Sequence, residues 1–523
     1  MDLSKVDYWL YLVTDNTPAI LGGRDLIDVV KKAVEGGTTI VQLRDKTSET
    51  SELIRIATQL REICHNHNVP LIINDRVDVA LASDADGVHL GQDDFDVVKA
   101  RQLFEKLGKK AIIGATVCSI EEAKNACSDG ADYLGIGTVF ATPTKENTKS
   151  IIGTAGTQAI LAAIEDLSPP VRTVCIGGIN ASNLQRVIYQ STTAKGTRLS
   201  GVAVVSAIIA ATDPASTSRE LRSLIDSSPA FVHSASTPAS LTDFSITSAV
   251  PTIIARMANA KPLCHNMTNL VVQNFAANVA ICIGASPIMS NNAAEAADLA
   301  DLGGSLVINM GTTTPDVRAA HLTAVKAYNA VGGPILLDPV GAGATAQRRE
   351  GTRALLAGGY FDVIKGNEGE IRTVAGAQGV KQRGVDSGAA TLDLAGRAGL
   401  VKEVAQRERC VVLMTGETDV VSDGQRTVGI SNGHKLLGEI TGSGCTLGTT
   451  IASVLAVQRE DKLLAVVVAL LMYEIAAERA ASKTTVKGPG TFVPAFLDEL
   501  YAIREECLKD DGKWVEAAKI QFF

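Results

Sequence analysis

The chain has 523 residues and a mass of 54.7 kDa, which is too long for one ordinary hydrophobic core and predicts two large domains. A net charge of −8 and a pI of about 5.5 leave no basic surface for nucleic acid, so nucleic-acid binding is excluded as a function class. The first residues lack the features of a secretory signal or transit peptide, and no apolar run is long enough to predict a membrane span. We therefore expect a cytoplasmic protein without a membrane partner.

Eight short apolar runs typical of β-strands recur through the first 208 residues, with room for a helix between them. The runs are WLYLVTD, TIVQLRD, LIIND, GVHL, AIIGAT, YLGIGTVF, VRTVCIGGI and GVAVVSAI. Segments with helical periodicity lie between most of these runs, and several end at a glycine. Eight strand–helix units predict an α/β fold of the (β/α)8 TIM barrel type. An open doubly wound sheet is the alternative, but VTDNTP lacks the GxGxxG that its first turn would need.

Polar residues directly follow most of these runs, and in a barrel the carboxyl ends of the strands form the site. The candidates in chain order are Gln42, Arg44, Lys46, Asn74, Asp75, Asp93, Asp94, Thr116, Thr142, Thr144, Lys145, Gly177, Gly178, Val205 and Ser206. Singly, a strand-end aspartate or threonine is more often a turn former or a helix cap. Together, neighbouring carboxylates opposed by cations are what a Mg²⁺–diphosphate complex needs. The glycine pair and the serine suit the phosphate of a second molecule.

The motifs VQLRDK, IINDRVDVAL, DGVHLGQDD, ADYLGIGTVFATPTK, CIGGI and GVAVVSAI occur in this order, and through them residues 7–212 resemble thiamine-phosphate synthase. That family joins hydroxymethylpyrimidine diphosphate to thiazole phosphate and releases pyrophosphate. The resemblance implies that the pyrimidine diphosphate faces Gln42, Arg44, Lys46 and Asn74, and that its diphosphate contacts Thr116 and Lys145. It implies Mg²⁺ at Asp75 and Asp94, and a thiazole-phosphate site at Thr142, Thr144, Gly178, Val205 and Ser206.

The predicted reaction needs leaving-group electrostatics more than acid–base catalysis. Departure of a magnesium-neutralised diphosphate leaves a ring-stabilised pyrimidine methyl cation, so no strong protein base is required. Arg44 and Lys145 are the predicted catalytic cations, and the loop FATPTK is expected to close over both substrates. The segment VIYQSTTAKGTRLSG, before the last strand, is longer than the usual turn of the family, and we interpret it as a surface insertion.

Residues 213–250 are dense in Ser, Thr, Pro and Ala and mark the seam between two domains. ELRSLID suits the last helix of the barrel, whereas SSPAFVHSASTPASLTD has the composition of a linker. The predicted boundaries are a barrel over 1–228, a linker over 229–249 and a second domain over 250–523.

The second half alternates strands and helices without an eightfold rhythm, which predicts an open α/β sheet. In TGSGCTLGTTIASVLA, small residues precede a helix expected to begin near Cys445, where backbone N–H groups would form an anion hole for a phosphoryl group. Asn367 and Glu370 in KGNEGE have an N-x-x-E spacing that puts both side chains on one helix face beside magnesium. Asp338 in DPVGAG ends an earlier strand.

Together with NMTNLVVQNF, GASPIMSNN and GPGTFVPAFLDELY, these motifs make residues 250–510 resemble hydroxyethylthiazole kinase. That family has the ribokinase-like fold and phosphorylates 4-methyl-5-(2-hydroxyethyl)thiazole with ATP. The resemblance implies a thiazole pocket at Asn269, Val271 and Met289, nucleotide contacts at Lys365, Thr415 and Gly442, and Mg²⁺ at Asn367 and Glu370. Cys445 stands where most ribokinase-like enzymes have an aspartate base. It is either a thiol activated by the helix start, which accepts the alcohol proton, or a residue that fills a small space.

The two resemblances support each other, because the second domain would make the thiazole phosphate that the first consumes. The pair resembles the fungal bifunctional thiamine-biosynthesis enzymes, with Mg²⁺ at both sites and ATP as co-substrate. Thiazole kinases of this type are trimers with sites between subunits, so a homo-oligomer, either a trimer or a hexamer, is expected. One alternative is that one half is a non-catalytic sensor of thiamine precursors. Another keeps the folds but changes the substrates, to a phosphate-binding isomerase with a pyridoxal or hydroxymethylpyrimidine kinase.

Overall fold

The structure is a computed structural model that describes residues 5–142, 150–233, 240–377 and 391–523. By its internal contacts the chain divides into two compact units, Met1–Pro229 and Ala230–Phe523. Each unit has its own sheet and its own hydrophobic core. Within the described ranges, no helix combines the length and the apolar character needed to cross a membrane.

Unit 1 is a closed barrel in which eight parallel strands follow one another in sequence order. The strands are β1 (Leu10–Val13), β2 (Ile40–Leu43), β3 (Leu71–Asn74), β4 (Gly87–Leu90), β5 (Ile112–Val117), β6 (Tyr133–Gly137), β7 (Arg172–Ile176) and β8 (Gly201–Val204). Strand β1 pairs in parallel with both β2 and β8, which closes the ring. The TIM barrel predicted from the eight apolar runs is confirmed.

Helices connect successive strands of the barrel and cover its outside. They are α1 (Pro18–Leu21), α2 (Leu26–Glu35), α3 (Thr50–Asn66), α4 (Val77–Ser83), α5 (Val97–Lys106), α6 (Ile120–Ser128), α7 (Gly153–Ile164), α8 (Leu184–Gln190), α9 (Ser206–Ile209) and α10 (Pro214–Asp226). Helix α2 is typical: the Asp25 side chain caps its first turn, and its apolar residues at helical spacing are buried against the strands. This packing leaves the carboxyl ends of the strands at one rim of the barrel.

The segment before β8 is exposed only around Ala194–Gly196 and at Arg198 and is packed elsewhere, so its interpretation as a surface insertion holds for that part alone. Its first part forms the end of α8, and Ser191, Thr192 and Thr193 behind it are buried. The Thr193 hydroxyl donates to Glu165 Oε2 at 2.7 Å, and the Gln158 amide donates to the Thr192 carbonyl at 2.9 Å. The Thr193 hydroxyl and the Thr192 carbonyl are thus satisfied by protein groups rather than by water, whereas the buried Ser191 hydroxyl has no partner among the described residues.

Unit 2 is built on a nine-stranded open sheet in the order β10-β9-β11-β12-β13-β14-β15-β16-β17, counted among the described residues. The strands are β9 (Leu263–Met267), β10 (Ser286–Ile288), β11 (Ser305–Asn309), β12 (Ile335–Asp338), β13 (Val363–Asn367), β14 (Val411–Thr415), β15 (Asp419–Ser422), β16 (Thr427–Ile430) and β17 (Ile520–Phe522). Pairs from β10 to β14 are parallel, and pairs from β14 to β17 are antiparallel. The predicted ribokinase-like α/β domain is confirmed.

The helices of unit 2 fall into two groups that pack mainly within themselves. One group is α11 (Asp243–Ala260), α12 (Gln273–Ile283), α18 (Ser443–Val457), α19 (Lys462–Ser482) and α20 (Pro489–Leu508). The other group is α13 (Ala296–Asp301), α14 (Pro315–Val331), α15 (Ala346–Gly358), α16 (Glu368–Val374) and α17 (Leu394–Glu408). Helix α19 is buried along nearly its whole length, which explains why its sequence is apolar on every side.

Part of the segment predicted as a linker is packed against unit 2. The Phe231 side chain is 5% exposed and stacks on Tyr360 with ring centroids 4.5 Å apart. The Lys462 ammonium donates to the Phe231 carbonyl at 3.4 Å. Helix α11 begins at Asp243, after a capping box formed by Thr242. These contacts narrow the stretch available as a linker to within 234–242.

Candidate active sites

The carboxyl ends of the barrel strands surround a cavity of about 430 Å³. It is lined by all the described residues that the sequence placed at this rim: Gln42, Arg44, Lys46, Asn74, Asp75, Asp93, Asp94, Thr116, Thr142, Gly177, Gly178, Val205 and Ser206. Thr144 and Lys145 of the expected closing loop lie outside the described residues. The described residues predicted from the strand ends therefore line a single cavity, but their position alone does not assign their roles.

Two carboxylates meet at the rim of this cavity. Asp75 follows β3 in the left-handed region with φ of 63°, and its backbone N–H donates to the His89 carbonyl at 2.9 Å. Asp94 accepts a hydrogen bond from the Gly91 N–H at 2.8 Å. Burial raises the pKa of Asp75, and a hydrogen bond and charge repulsion from Asp94 raise it further, against the attraction of the Lys46 ammonium 3.4 Å away. The pair thus carries negative charge that its neighbours do not fully offset.

This pair is suited to a hard divalent cation. The described residues contain no cluster of three or more acidic, histidine or cysteine side chains placed to hold a metal ion. Asp75 and Asp94 instead offer a two-carboxylate site on neighbouring strand ends. Mg²⁺ is commonly bound in this way, with substrate phosphates and water completing its shell. The donor set therefore fits Mg²⁺ bound together with a diphosphate.

Arg44 is held over the cavity by residues at the end of β1. Its guanidinium lies 3.5 Å from the buried carboxylate of Asp15, and its backbone N–H donates to the Thr14 hydroxyl at 2.9 Å. Asp15 also accepts hydrogen bonds from the backbone and the hydroxyl of Thr17. The sequence candidates omitted Asp15, although it directly follows β1 and the rule used for the other strands would have found it.

The turn after β7 needs glycine at two successive positions. Gly177 and Gly178 have φ of 116° and 65°, a region that favours glycine. A Cβ on Gly177 would lie 2.4 Å from Thr138 Cγ2, and one on Gly178 would lie 2.9 Å from the Ala141 carbonyl oxygen. The backbone is therefore bare at this part of the cavity, as a site for a phosphate group requires.

Three further residues line the cavity from inside the barrel: Tyr11 on β1, His89 on β4 and Tyr133 on β6. Sequence reasoning missed them because they lie within strands rather than at strand ends. Their signal was the twofold alternation of a strand, which turns these side chains toward the barrel axis.

In unit 2, residues from five separate segments form a buried polar cluster. Lys365 Nζ lies 3.3 Å from Asp338 Oδ1, and the Asn309 amide donates to Asp338 Oδ2 at 2.8 Å. The Asn269 amide donates to Asn309 Oδ1 at 3.0 Å and contacts Cys445 Sγ at 3.4 Å. The structure thus brings together Asn269, Lys365 and Cys445, which the sequence placed in the thiazole, nucleotide and catalytic sites respectively.

The N-x-x-E motif is a helix cap in the structure. Asn367 Oδ1 accepts from the Glu370 N–H at 3.0 Å, and Glu370 Oε2 accepts from the Asn367 N–H at 2.8 Å. Glu370 Oε1 accepts from the Gly341 N–H at 2.8 Å. This capping bond uses one of the two lone pairs of the Asn367 amide oxygen, so the predicted role of Asn367 in binding Mg²⁺ stays a prediction.

Glu370 and Asp338 are the acidic groups of this site. Burial and the charge of Asp338 raise the pKa of Glu370 to about 7, although Lys365 opposes this effect. Burial also raises the pKa of Asp338, again against the attraction of Lys365. Two such hard oxygen donors in one buried cluster fit a Mg²⁺ ion that accompanies a nucleotide.

The helix behind the small-residue loop is α18, which begins at Ser443, two residues before the predicted start. Gly442 precedes it with φ of 90°, and a Cβ there would lie 2.6 Å from Val272 Cγ2. A Cβ on Gly444 would lie 3.6 Å from Lys365 Nζ, so the lysine ammonium sits close to the helix start. The bare backbone and the ammonium together make a positive pole suited to a phosphoryl group.

Cys445 is a neutral thiol, and the expectation that the helix start lowers its pKa is wrong. Burial raises the pKa of Cys445 to about 11, and the charge of Asp338 adds to this effect. Lys365 and the Asn309 and Asn269 amides oppose it without reversing it. For a buried thiol next to a carboxylate, desolvation and charge repulsion raise the pKa by more than the helix dipole lowers it.

The remaining predicted residues lie around this cluster. Thr415 ends β14, where its Cα is paired with that of Asn367. Met289 is half-buried just after β10. Val271 donates its N–H to Asn269 Oδ1 at 3.1 Å, but its side chain is 73% exposed. Within this chain, the structure therefore does not bury Val271 in a thiazole pocket.

Comparisons with known proteins cover both units. The family model described as Thiamine monophosphate synthase matches residues 10–208, and that of the Hydroxyethylthiazole kinase family matches residues 254–506. A probable thiamine biosynthetic bifunctional enzyme of Schizosaccharomyces pombe is 42% identical over 99% of both chains. The thiamine biosynthetic bifunctional enzyme of Saccharomyces cerevisiae is 38% identical over 98% of both.

A third relative matches the second unit by itself. The hydroxyethylthiazole kinase of Haemophilus influenzae is 42% identical over 97% of its own length and 50% of this chain. Both activities are therefore represented on one polypeptide, in the order that the motifs indicate. The chain belongs to the family of bifunctional thiamine-biosynthesis enzymes, which join a thiamine-phosphate synthase domain to a hydroxyethylthiazole kinase domain.

Proposed function

We propose that the two units carry out consecutive steps, with the residue roles given below. Unit 2 transfers a phosphoryl group from ATP to the hydroxyl of 4-methyl-5-(2-hydroxyethyl)thiazole. The barrel then joins this thiazole phosphate to hydroxymethylpyrimidine diphosphate and releases pyrophosphate. The observation that carries the proposal is the meeting of Asp75 and Asp94 at a cavity that Arg44 and Lys46 also line.

In the barrel, the chain's own residues hold the diphosphate and stabilise its departure. Arg44, oriented by Asp15, and Lys46 supply positive charge to the phosphate oxygens. Asp75 and Asp94 would hold Mg²⁺, which would supply charge neutralisation to the leaving diphosphate. Lys145, by resemblance, contributes a further cation.

Other residues of the cavity position the two reacting molecules. Gln42 and Asn74 face the pyrimidine, and Thr116 donates to the diphosphate. The thiazole phosphate is held by Gly178, Val205, Ser206 and Thr142, which line the cavity, and by resemblance also by Thr144. Such positioning and the exclusion of water protect the pyrimidine methyl cation until the thiazole nitrogen captures it.

In unit 2, Lys365 and the start of α18 at Gly442 stabilise the charge on the transferred phosphoryl group. Thr415 contacts the nucleotide, and Asp338 and Glu370 hold Mg²⁺. Cys445 lies beside the alcohol as a neutral thiol. Phosphoryl transfer through a loose transition state depends on charge neutralisation and positioning, so a strong base is not needed.

We also propose a homo-oligomer, a trimer or a hexamer, in the cytoplasm. Leu270 and Val271 are 69% and 73% exposed directly beside Asn269, and a neighbouring subunit that covered them would complete the thiazole pocket. Buried free thiols such as Cys64, Cys175 and Cys410 suit a reducing compartment.

Two variants of the full chain test the assignment, and each serves as the control for the other. We expect Asp75→Asn to lower thiamine phosphate formation from the two phosphorylated precursors by about 10²–10³-fold while thiazole phosphorylation continues. We expect Lys365→Met to have the opposite effect. Loss of both activities in either variant, or binding of the precursors without product in the wild type, would contradict the proposal, and the second result would favour a sensor.

A further inference from the structure

A continuous chain of side-chain hydrogen bonds runs through the interior of the barrel beneath the cavity. The Gln42 amide Nε2 donates to the Tyr11 hydroxyl at 2.8 Å, and the Tyr11 and Tyr133 hydroxyls lie 2.7 Å apart. The Tyr133 hydroxyl is 2.9 Å from His89 Nδ1, and His89 Nε2 is 2.8 Å from the Thr116 hydroxyl. Both ends of the chain, Gln42 and Thr116, are residues to which the proposed function gives a substrate contact.

The barrel makes room for this chain with two glycines. A Cβ on Gly114 would lie 2.1 Å from the Tyr133 ring, and a Cβ on Gly135 would lie 2.8 Å from His89 Cε1. The rings of Tyr11 and Tyr133 are fully buried, and burial raises the pKa of both hydroxyls, so both keep their protons at neutral pH. Such a network is costly to leave unsatisfied, and each of its members has a partner.

If the buried Tyr11 and Tyr133 protons are both to have an acceptor within this hydrogen-bond network, donation by the Gln42 amide leaves one arrangement. Tyr11 accepts from Gln42, so its single proton goes to the Tyr133 oxygen. Tyr133 in turn donates to His89 Nδ1, and the His89 proton therefore resides on Nε2 and points to Thr116. The histidine tautomer follows from the network.

This direction fixes what each end presents to the cavity. The Gln42 side chain lines the cavity, and no donor from the described residues reaches its Oε1. The bond from one Nε2 proton to Tyr11 holds the amide in place and leaves Oε1 as the acceptor that Gln42 offers to a ligand. Thr116 already accepts from His89, so its own proton is left to donate outward.

We infer that Tyr11, Tyr133 and His89 are positioning residues, which hold the Gln42 oxygen ready to accept a hydrogen bond from the exocyclic amino group of the pyrimidine diphosphate. The same chain turns the Thr116 proton toward the diphosphate. An analogue with an oxo group in place of the amino group would set acceptor against acceptor and is rejected. The inference rests on the synthase function proposed for the barrel.

The test compares amino- and oxo-pyrimidine diphosphates in the full chain, as the ratio of their kcat/KM values for thiamine phosphate formation. Tyr11→Phe removes the acceptor of Gln42 Nε2, so the amide is free to turn. We expect the ratio to fall about tenfold. In a Gln42→Leu background, Tyr11→Phe should cause no further change, because the group that it positions is gone.

Tyr8→Phe is the matched control. The Tyr8 ring packs against Tyr133 with centroids 5.2 Å apart, but its hydroxyl takes no part in the hydrogen-bond chain. The ratio should therefore stay at the wild-type value, which separates the loss of a hydroxyl from the loss of a positioning contact. Thermal unfolding of each variant shows whether the barrel remains folded. Tyr133→Phe, which removes the next hydroxyl of the network, is a second variant, and if it unfolds the test uses Tyr11→Phe alone.

The inference is overturned if folded Tyr11→Phe retains the wild-type ratio, or if Tyr8→Phe lowers the ratio equally. If the wild type forms no thiamine phosphate at all, the proposed function fails, and the ratio of Kd values for the two diphosphates, measured by calorimetry, becomes the readout. The same tenfold loss in the Kd ratio would then support the positioning role, and an unchanged ratio would refute it.

Discussion

Lys365 stays protonated although it is buried, and burial by itself favours the neutral form of a lysine. Burial opposes protonation of this lysine, but the carboxylates of Asp338 and Glu370 outweigh it, and the pKa of Lys365 is raised. A permanent cation close to the start of α18 is what a transferred phosphoryl group requires. The same carboxyl group of Asp338 raises the pKa of the Cys445 thiol, so one arrangement both charges the lysine and keeps the cysteine neutral.

This arrangement predicts that Cys445 is dispensable as a base. A thiol with a pKa of about 11 holds its proton at neutral pH, so Cys445→Ala should retain thiazole kinase kcat within about tenfold of the wild type. The pH dependence of kcat between pH 6 and 9 should also be unchanged. A loss on the order of 10²–10⁴-fold would instead identify the thiolate as the proton acceptor.

His321 predicts an acid-sensitive stability for unit 2. This buried histidine on α14 has an Nδ1 that finds no hydrogen-bond partner among the described residues, and burial lowers its pKa from 6.5 to about 4. In the unfolded chain it takes up a proton as the pH falls through about 6.5. The contribution of the neutral His321 ring to the free energy of unfolding is therefore fully present above pH 6.5. As the pH falls from 6.5 to 4 this contribution is lost, by about 3 kcal/mol in total.

The measurement uses the distribution of tryptophan, because unit 1 contains Trp9 and unit 2 contains Trp514. In a Trp9→Phe background, urea unfolding followed by fluorescence reports on unit 2. We expect His321→Leu to reduce the loss of unfolding free energy between pH 7.5 and 5, relative to the same chain with His321. Equal losses with and without the histidine would show that other groups control the acid sensitivity.

At the scale of elements, the short segment Ala230–His233 behaves as part of unit 2. Besides the Phe231 stacking, the His233 side chain bonds to the Gly332 carbonyl at 3.0 Å, and a Cβ on Gly332 would lie 2.2 Å from the Ala230 carbonyl oxygen. The backbone of this segment therefore packs directly against unit 2. We therefore propose that the kinase domain begins at about residue 230, twenty residues before the predicted boundary.

The Phe231 contact can be tested by truncation. Phe231→Ala should lower the unfolding free energy of unit 2 by about 3 kcal/mol, because a buried aromatic ring is replaced by a cavity. Phe244→Ala is the matched control, since the Phe244 side chain is 80% exposed and its loss should change stability by less than about 0.5 kcal/mol. Unfolding of the Trp9→Phe chain in urea measures both. Equal effects of the two substitutions would mean that the segment is not anchored through this ring.

The sequence predicted the strand ends of the barrel well because parallel strands deliver their carboxyl ends to one rim. Gln42, Asp75 and Asp94 were found by this rule alone and line one cavity. Interior partners such as His89 were missed, because the alternation that turns them toward the barrel axis does not distinguish a structural from a functional side chain. Contacts between distant segments, such as that of Phe231 with Tyr360, left no local pattern to read.

The kinase site shows a different limit of prediction from the sequence. The N-x-x-E spacing predicted a metal site, and the hydrogen bonds show that the same spacing also forms a capping box, which the sequence analysis did not foresee. The pKa of Cys445 likewise depends on Asp338, more than a hundred positions away in the sequence. A motif fixes which groups are adjacent along a helix, but it does not fix the burial and the distant charges that set their protonation.

At the scale of the whole molecule, the two sites are built independently. The barrel cavity uses residues of unit 1, the polar cluster around Lys365 uses residues of unit 2, and their sheets share no strand. The thiazole phosphate made by one must therefore leave its site before it enters the other. A kinase turnover of about 1–100 s⁻¹ allows milliseconds or longer for this step. That is far longer than a small molecule needs to diffuse out of a cavity.

We therefore expect free exchange of the intermediate, which a mixing experiment measures. Equal amounts of Asp75→Asn, which keeps the kinase, and Lys365→Met, which keeps the synthase, are supplied with thiazole, ATP, Mg²⁺ and the pyrimidine diphosphate. If the intermediate is released, the mixture should form thiamine phosphate with the lag and steady-state rate of wild-type chain at a matched concentration of each active site. A much shorter lag in the wild type would show transfer within one molecule. Since a tether raises the local concentration of a domain without aligning two cavities, we expect the lags to agree.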